Sequence, residues 1–292
     1  MKMSDGVQEY MKTALEEAKQ SLKEGNHGFG AVIVKDGRII AKAHDQEENH
    51  SDPTSHAELN AIRLAAKEFG RNLEGCVLIT THEPCPMCAT AIVWSGIKEL
   101  VYGYSIAESI AEGRRRINLS SKELFTRANA NIGIHEGVLH DQCAILYRND
   151  VRAEVKRLRG SVRDLAVLRQ ELLVKRASWF HNNHGKLQLD YSDLLHGGYL
   201  LLLTKLGIEP EEAPVMEKTQ TKIVFHSRNF CPTLEACKIL DLDTRIVCRE
   251  VSEKPTDFLM KQFNGRLEFR RNYDKLRPYC EYCEEMILLK EQ

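Results

Sequence analysis

THEPCPMCATAIVW, residues 81–94, puts two cysteines three positions apart at the start of a helical pattern. Proline suits a first helical turn, where its missing N–H would have had no intrahelical partner. Cys85 and Cys88 then share one face at the helix N-terminus, where the partial positive charge favours the metal-binding thiolate form. The run just before, CVLITT at 76–81, reads as a strand. Further back, HAELNAIRLAAKEFG, 56–70, reads as a helix that stops at Gly70, with Thr54 or Ser55 as the expected N-cap after Asp52-Pro53. A strand flanked by helices in this order is an α/β arrangement.

His56 opens one of these helices and Cys85 the other, so one imidazole and two thiolates are available as zinc ligands. Three protein ligands leave a fourth position open for water, which distinguishes a catalytic zinc site from a closed structural one. Glu58, two residues beyond His56, is placed to shuttle protons at that position. The H-x-E and P-C-x-x-C elements together make up the zinc-deaminase signature. A structural knuckle would instead need a fourth ligand, for which His82 is the nominal candidate.

Outward from this centre, Val7, Met11, Leu15, Ala18 and Leu22 recur at helical spacing until Gly25. FGAVIVKDGRIIAKAH, 29–44, reads as two strands joined by a hairpin at Asp36-Gly37. After the cysteine helix a strand starts near Ile97, then come weaker signals at 132–138 and a long charged helix over 140–160. The expected division is a domain over 1–160 and a smaller α+β domain over 161–292. Within the second, 161–208 reads as helical with Ser161 as a cap, and 209–220 as a linker holding two prolines. Residues 221–292 read as α/β: strands at TKIVFHS (221–227) and DTRIVCREV (243–251) around a short helix at 233–240, and a helix over RPYCEYCEEMILL (277–289).

FGAVIVKDGRIIA, DPTSHAELNAIR and THEPCPMCATAIVW resemble the cytidine deaminase-like superfamily, in the branch of guanine deaminases, fungal-type cytosine deaminases and tRNA adenosine deaminases. The resemblance covers about the first 160 residues and implies a three-layer α/β/α domain with a mixed five-stranded sheet, a bound Zn2+ and a homo-oligomer, usually a dimer. It also implies that His56, Cys85 and Cys88 hold the metal, Glu58 is catalytic, Phe29 packs on the substrate ring and the Ala57 N–H meets a substrate oxygen. One position departs from the pattern. Relatives carry Asn in a Gly-His-Asn-like run, and this chain has Ala43-His44-Asp45. An ionised carboxylate only accepts hydrogen bonds, so Asp45 favours a substrate edge rich in N–H donors.

Charge and cysteine usage fit this reading. The 41 Lys and Arg nearly balance the 42 Asp and Glu, so the surface as a whole is not a nucleic-acid trap. Nine cysteines with C-x-x-C spacing and no apolar leader point to metal or thiol chemistry in a cytoplasmic protein. The longest apolar run, YLLLLTKL at 199–206, is too short for a membrane span. The expected activity is zinc-dependent hydrolytic deamination of a free nucleobase or related heterocycle, guanine- or cytosine-like. The alternative is deamination of a nucleoside, a nucleotide or a base within tRNA, with the second half binding the larger substrate; FNGRLEFRRNY, 263–273, is the basic and aromatic stretch that supports it. Arg114-Arg115-Arg116 reads as a solvated turn, with contact to phosphate or RNA as the other reading; Trp94 reads as core or pocket wall, and Cys280 and Cys283 as two buried small residues, with a second metal or redox pair as the other reading.

Overall fold

The computed structural model describes residues 6–160, 165–187 and 189–291, and the chain divides into two compact units, one ending at Lys156 and one beginning at Arg157. No helix among the described residues is long and apolar enough to cross a membrane.

The first unit opens with α1 (Val7–Glu24), which buries Met11, Ala14, Leu15, Ala18 and Leu22 and ends at Gly25 with φ 101°. Next come β1 (Gly30–Lys35), β2 (Arg38–His44), α2 (Glu47–His50), α3 (Ala57–Phe69), β3 (Cys76–His82), α4 (Pro86–Ser95) and β4 (Glu99–Tyr104). They are followed by α5 (Ile106–Ala111), α6 (Ser121–Arg127), β5 (Gly133–His135), α7 (His140–Tyr147) and α8 (Asn149–Gly160). The sheet order is β2-β1-β3-β4-β5. β1 runs antiparallel to β2 and β3, and β3, β4 and β5 are parallel, so the sheet is mixed and five-stranded.

Helices cover both faces. Ala31 and Ile33 of β1 cluster with Ala57, Ala61 and Ala65 of α3 and Ala89 and Ile92 of α4. Alternation along the strand turns Val32 to the opposite face, where α1 packs. Burying a side chain such as Ile33 contributes roughly 1.5–3 kcal/mol. Gly30 is where α1 comes closest, since a Cβ there would stand 2.0 Å from the Ala14 carbonyl oxygen.

Two local expectations are corrected in this unit. α3 has His56 as N-cap, without a side-chain capping bond. The hydroxyl of Thr54 is spent on Asp52 (2.7 Å) and the Ser55 hydroxyl meets Asn60 and His50, so 52–55 closes its own turn before the helix begins. The expected long helix over 140–160 is two helices, broken at Arg148, whose backbone is extended and whose guanidinium is held by Asp150 at 2.7 and 3.1 Å.

The second unit contains α9 (Leu165–Asn183), α10 (Leu194–Leu206), β6 (Val215–Lys218), β7 (Lys222–Ser227), α11 (Pro232–Leu240), α12 (Thr244–Val247), α13 (Lys254–Phe263), β8 (Leu267–Arg271) and β9 (Cys283–Leu289). Its sheet, β6-β7-β9-β8, is antiparallel throughout, and α10 and α13 contribute Leu201, Leu202, Leu259 and Met260 to a core with Phe225, Phe269 and Ile287. Three readings change here. The linker contains β6, paired with β7. DTRIVCREV is helical, started by Asp243, whose Oδ1 accepts from the Arg245 N–H at 2.9 Å. The stretch 277–289 is a turn followed by β9 rather than a helix, because Met286 and its neighbours pair with β7 and β8. The expected cap Ser161 lies outside the described residues.

Candidate active site

The C-terminal end of β3 leads directly into the site. Thr80, Thr81, His82 and Glu83 are all buried. After Pro84 the chain turns into α4 with Cys85 as N-cap and Cys88 at the third helical position. α3 presents its own start beside α4, and His56 Nδ1 lies 3.5 Å from both Cys85 Sγ and Cys88 Sγ. The three ligand atoms lie within 4.8 Å of one another. One imidazole and two thiols in this proximity make a donor set suited to zinc.

The hydrogen bond from Cys88 pulls Cys85 down to about 4, against burial and with help from His56, and the same bond together with burial pushes Cys88 up. Burial alone would lower His56, but its bond to Cys85 and the charges of Glu58 and Cys85 raise it to about 9. Glu58 is 4% exposed. Burial, reinforced by the charge of Cys85, raises its carboxyl to about 7, and the Thr80 hydroxyl donates to its Oε1 at 3.3 Å.

These groups face a cavity of about 360 Å³ whose lining also includes His27, Phe29, Glu47, His82 and Glu83. Of the residues singled out in the sequence, Phe29, His56, Glu58, His82, Cys85 and the run Arg114-Arg115-Arg116 lie on its wall. Cys88 is fully buried behind it. Ala57 and Asp45 are fully buried and do not line it. Asp45 accepts from the His27 N–H at 3.1 Å through Oδ1, and its Oδ2 is buried with no hydrogen-bond partner. His27, Asp45 and Glu47 form a second close group of possible ligands.

His82 does not join the thiols. Its Nε2 meets Ser109 Oγ at 2.7 Å and its Nδ1 the Glu83 carbonyl at 2.8 Å, while burial pushes it down to about 3, so it stays a neutral member of the wall. Its ring meets Phe29 and Tyr147 edge-on. Trp94 is 74% exposed, neither core nor pocket wall.

Two elements of the site, Glu83 and Arg152, escaped the sequence, and Arg114–116, read as a solvated turn, line the cavity instead. Glu83 sits between His82 and Pro84, and its carboxylate accepts from the backbone N–H of Ile106 (2.9 Å) and of Ser121 (2.8 Å). It therefore anchors the starts of α5 and α6 and with them the segment between. That segment carries Arg114, Arg115 and Arg116, which line the cavity together with Arg152 of α8. A glutamate flanked by His and Pro gives no pattern that announces such a role; its partners are 23 and 38 residues away.

Residues 4–104 match the family model of the cytidine and deoxycytidylate deaminase zinc-binding region. The chain is 39% identical over 135 residues to the tRNA-specific adenosine deaminase of Bacillus subtilis, a stretch covering 46% of this chain and 81% of that protein. It is 42% identical over 106 residues to the guanine deaminase of the same organism (36% and 68%), and 45% identical over 98 residues to the tRNA-specific adenosine deaminase of Aquifex aeolicus (33% and 65%, just under two thirds of that relative's length). The chain belongs to the cytidine deaminase-like family of zinc-binding deaminases.

Proposed function

We propose that this chain is a zinc-dependent hydrolytic deaminase of an amino-substituted, guanine- or cytosine-like heteroaromatic ring, releasing ammonia. The observation that carries the reading is the meeting of the His56, Cys85 and Cys88 donors with the sealed carboxyl of Glu58 in one cavity. The relatives named for guanine and for adenosine in tRNA support a ring that bears an exocyclic amine. Residues 1–160 carry the chemistry as one domain, and 161–292 form a second.

His56, Cys85 and Cys88 would hold zinc, which when bound would supply Lewis acidity that lowers the pKa of a water. Glu58, with a carboxyl poised near 7, takes a proton from the attacking water and delivers it to the departing amine. A C–O bond forms at the amine-bearing carbon and the C–N bond breaks; of the water's two protons one leaves with ammonia and one stays on the ring product. Thr80 holds the Glu58 carboxyl in one orientation through its hydroxyl. Phe29, on the cavity wall, packs on the ring; Ala57 and Asp45 lie off that wall, and Asp45 bears on the substrate through His27, whose N–H it accepts and which lines the cavity.

The test is ammonia release from a panel of bases, nucleosides, nucleotides and tRNA, with zinc-loaded and with chelator-stripped protein. Chelator-sensitive ammonia from at least one member is expected. A zinc-loaded protein inert on the whole panel ends the reading.

A further inference from the structure

The two ring nitrogens of His56 have different neighbours. Nδ1 faces both thiols at 3.5 Å, and Nε2, on the far edge of the ring, lies 3.7 Å from Glu47 Oε2. The same oxygen lies 3.5 Å from His27 Nε2. One carboxylate oxygen therefore faces two imidazoles, at the separation of an ion contact and somewhat beyond that of a closed hydrogen bond. Glu58, two residues along from His56, is engaged elsewhere, by the Thr80 hydroxyl.

Backbone contacts place Glu47 there independently of either imidazole. The Gln46 N–H donates to the Ser55 carbonyl oxygen at 2.9 Å, one residue before His56, and the Asp52 N–H donates to the Glu47 carbonyl oxygen at 3.1 Å. The Asn49 N–H donates to Asn26 Oδ1 at 3.1 Å, one residue before His27. α2 is thus pinned to both of the segments whose rings its first residue faces. His27 is itself fixed at both backbone polar groups, its N–H by Asp45 Oδ1 at 3.1 Å and its carbonyl oxygen by Arg152 at 2.5 Å. Asp45 and Arg152 hold His27, His27 and α2 hold Glu47, and Glu47 stands behind His56.

A histidine that binds a metal through one nitrogen donates its other N–H to a neighbouring acceptor, and a carboxylate in that place fixes the ring's tautomer and orientation and raises its basicity. A neutral imidazole whose Nδ1 is given to a metal carries its one N–H at Nε2, the edge that Glu47 faces. We propose that Glu47 is a positioning residue for the candidate zinc site, holding the His56 ring with Nδ1 towards the thiols and so tightening the hold on the metal. This rests on the reading of His56, Cys85 and Cys88 as zinc ligands, and on no substrate. The Glu47 side chain is 32% exposed, so water competes for its carboxylate and its contribution falls at the lower end of what such partners supply.

Competition with a chromophoric chelator on the zinc-loaded, full-length protein measures zinc affinity with no substrate present. Glu47→Ala should weaken zinc about tenfold, the lower end for a partner behind a metal-binding histidine. Glu47→Gln, which keeps the shape and an amide oxygen, should fall between Glu47→Ala and wild type. Glu48→Ala removes a second carboxylate that stands 3.5 Å from His27 Nε2, and should match wild type. In the cobalt-substituted protein the visible absorption bands, which report the ligand geometry, should shift in Glu47→Ala and stay in place in Glu48→Ala. Unchanged zinc affinity in Glu47→Ala, or an equal loss in Glu48→Ala, overturns the proposal. So does a second equivalent of zinc that is lost from Glu47→Ala while the first keeps its affinity, since that would make His27, Asp45 and Glu47 a cation site of their own. Weakened zinc in Glu47→Ala, in a protein that releases no ammonia from any compound, upholds the proposal while ending the deaminase reading. A wild-type protein that takes up no zinc ends both.

Discussion

Cys85/Cys88 and Cys280/Cys283 have identical spacing and opposite settings. The first pair occupies the cap and first turn of a ten-residue helix, with an imidazole 3.5 Å from both sulfurs. The second pair spans a turn and the first residue of β9, and Cys283 Sγ is met by Arg277 Nε at 3.4 Å. Among the described residues, only the first pair belongs to a close group of possible ligands. Spacing of two residues brings sulfurs together where the backbone is helical; on an extended strand it sends successive side chains to opposite faces. The motif therefore acquires its meaning from the element it sits on.

Metal content breaks this comparison most sharply. His56→Ala or Cys88→Ser should abolish stoichiometric zinc, measured by elemental analysis of purified protein, whereas Cys280→Ser and Cys283→Ser should leave it at the wild-type level. Zinc lost equally from both sets would mean that the second pair also holds metal. Next in size, Glu58→Gln should lower kcat by about 10²–10⁴-fold, the range for removing a general acid-base, with zinc retained. Loss of zinc along with activity would make Glu58 a ligand instead. Asp45→Asn should alter the ratio of kcat/KM between ring types by about tenfold, one hydrogen bond to a charged group, without changing zinc content. A uniform fall across all rings would place Asp45 in the framework.

A stability effect, separate from activity, concerns His82, the histidine that is not a ligand. Its folded pKa, near 3, lies below the ordinary value of 6.5 because burial disfavours the cation. The unfolded chain binds the extra proton first, so the stabilisation is fully present above about pH 6.5 and is lost as pH falls towards 3. Thermal midpoints should decline over that window, by an amount worth roughly a few kcal/mol at its end. His82→Gln should flatten the profile.

Much of the first unit was legible because its elements announce themselves locally. The hairpin at Asp36-Gly37, the stripe on α1 and the proline at the start of α4 each act within a few residues, and the observed bounds fall close to the expected ones. The second unit was read less well. Strand pairing overrode local pattern in β6 and β9, and Asp243 started a helix where β-branched residues had suggested a strand. FNGRLEFRRNY illustrates the cost of composition alone. Phe269 is 1% exposed in the core and Arg271 is paired with Glu285 at 2.7 Å, so one aromatic and one basic side chain of the stretch are spent inside the second unit.

The two arginine sets close the same argument. Arg271 is paired with Glu285, while Arg114 and Arg116 line the cavity of the candidate site; nothing in RRR or RR tells them apart. The sequence by itself determined the chemistry available at the helix starts, because His56, Glu58, Cys85 and Cys88 owe their placement to spacing along two short local elements. Only the tertiary structure decided what surrounds them: Glu83 anchoring the starts of α5 and α6, His82 turned to Ser109, and α8 bringing Arg152 to the same cavity as Arg114–116. Those arrangements depend on packing between elements 23 to 125 residues apart, and long-range packing leaves no periodic trace in the residues it joins.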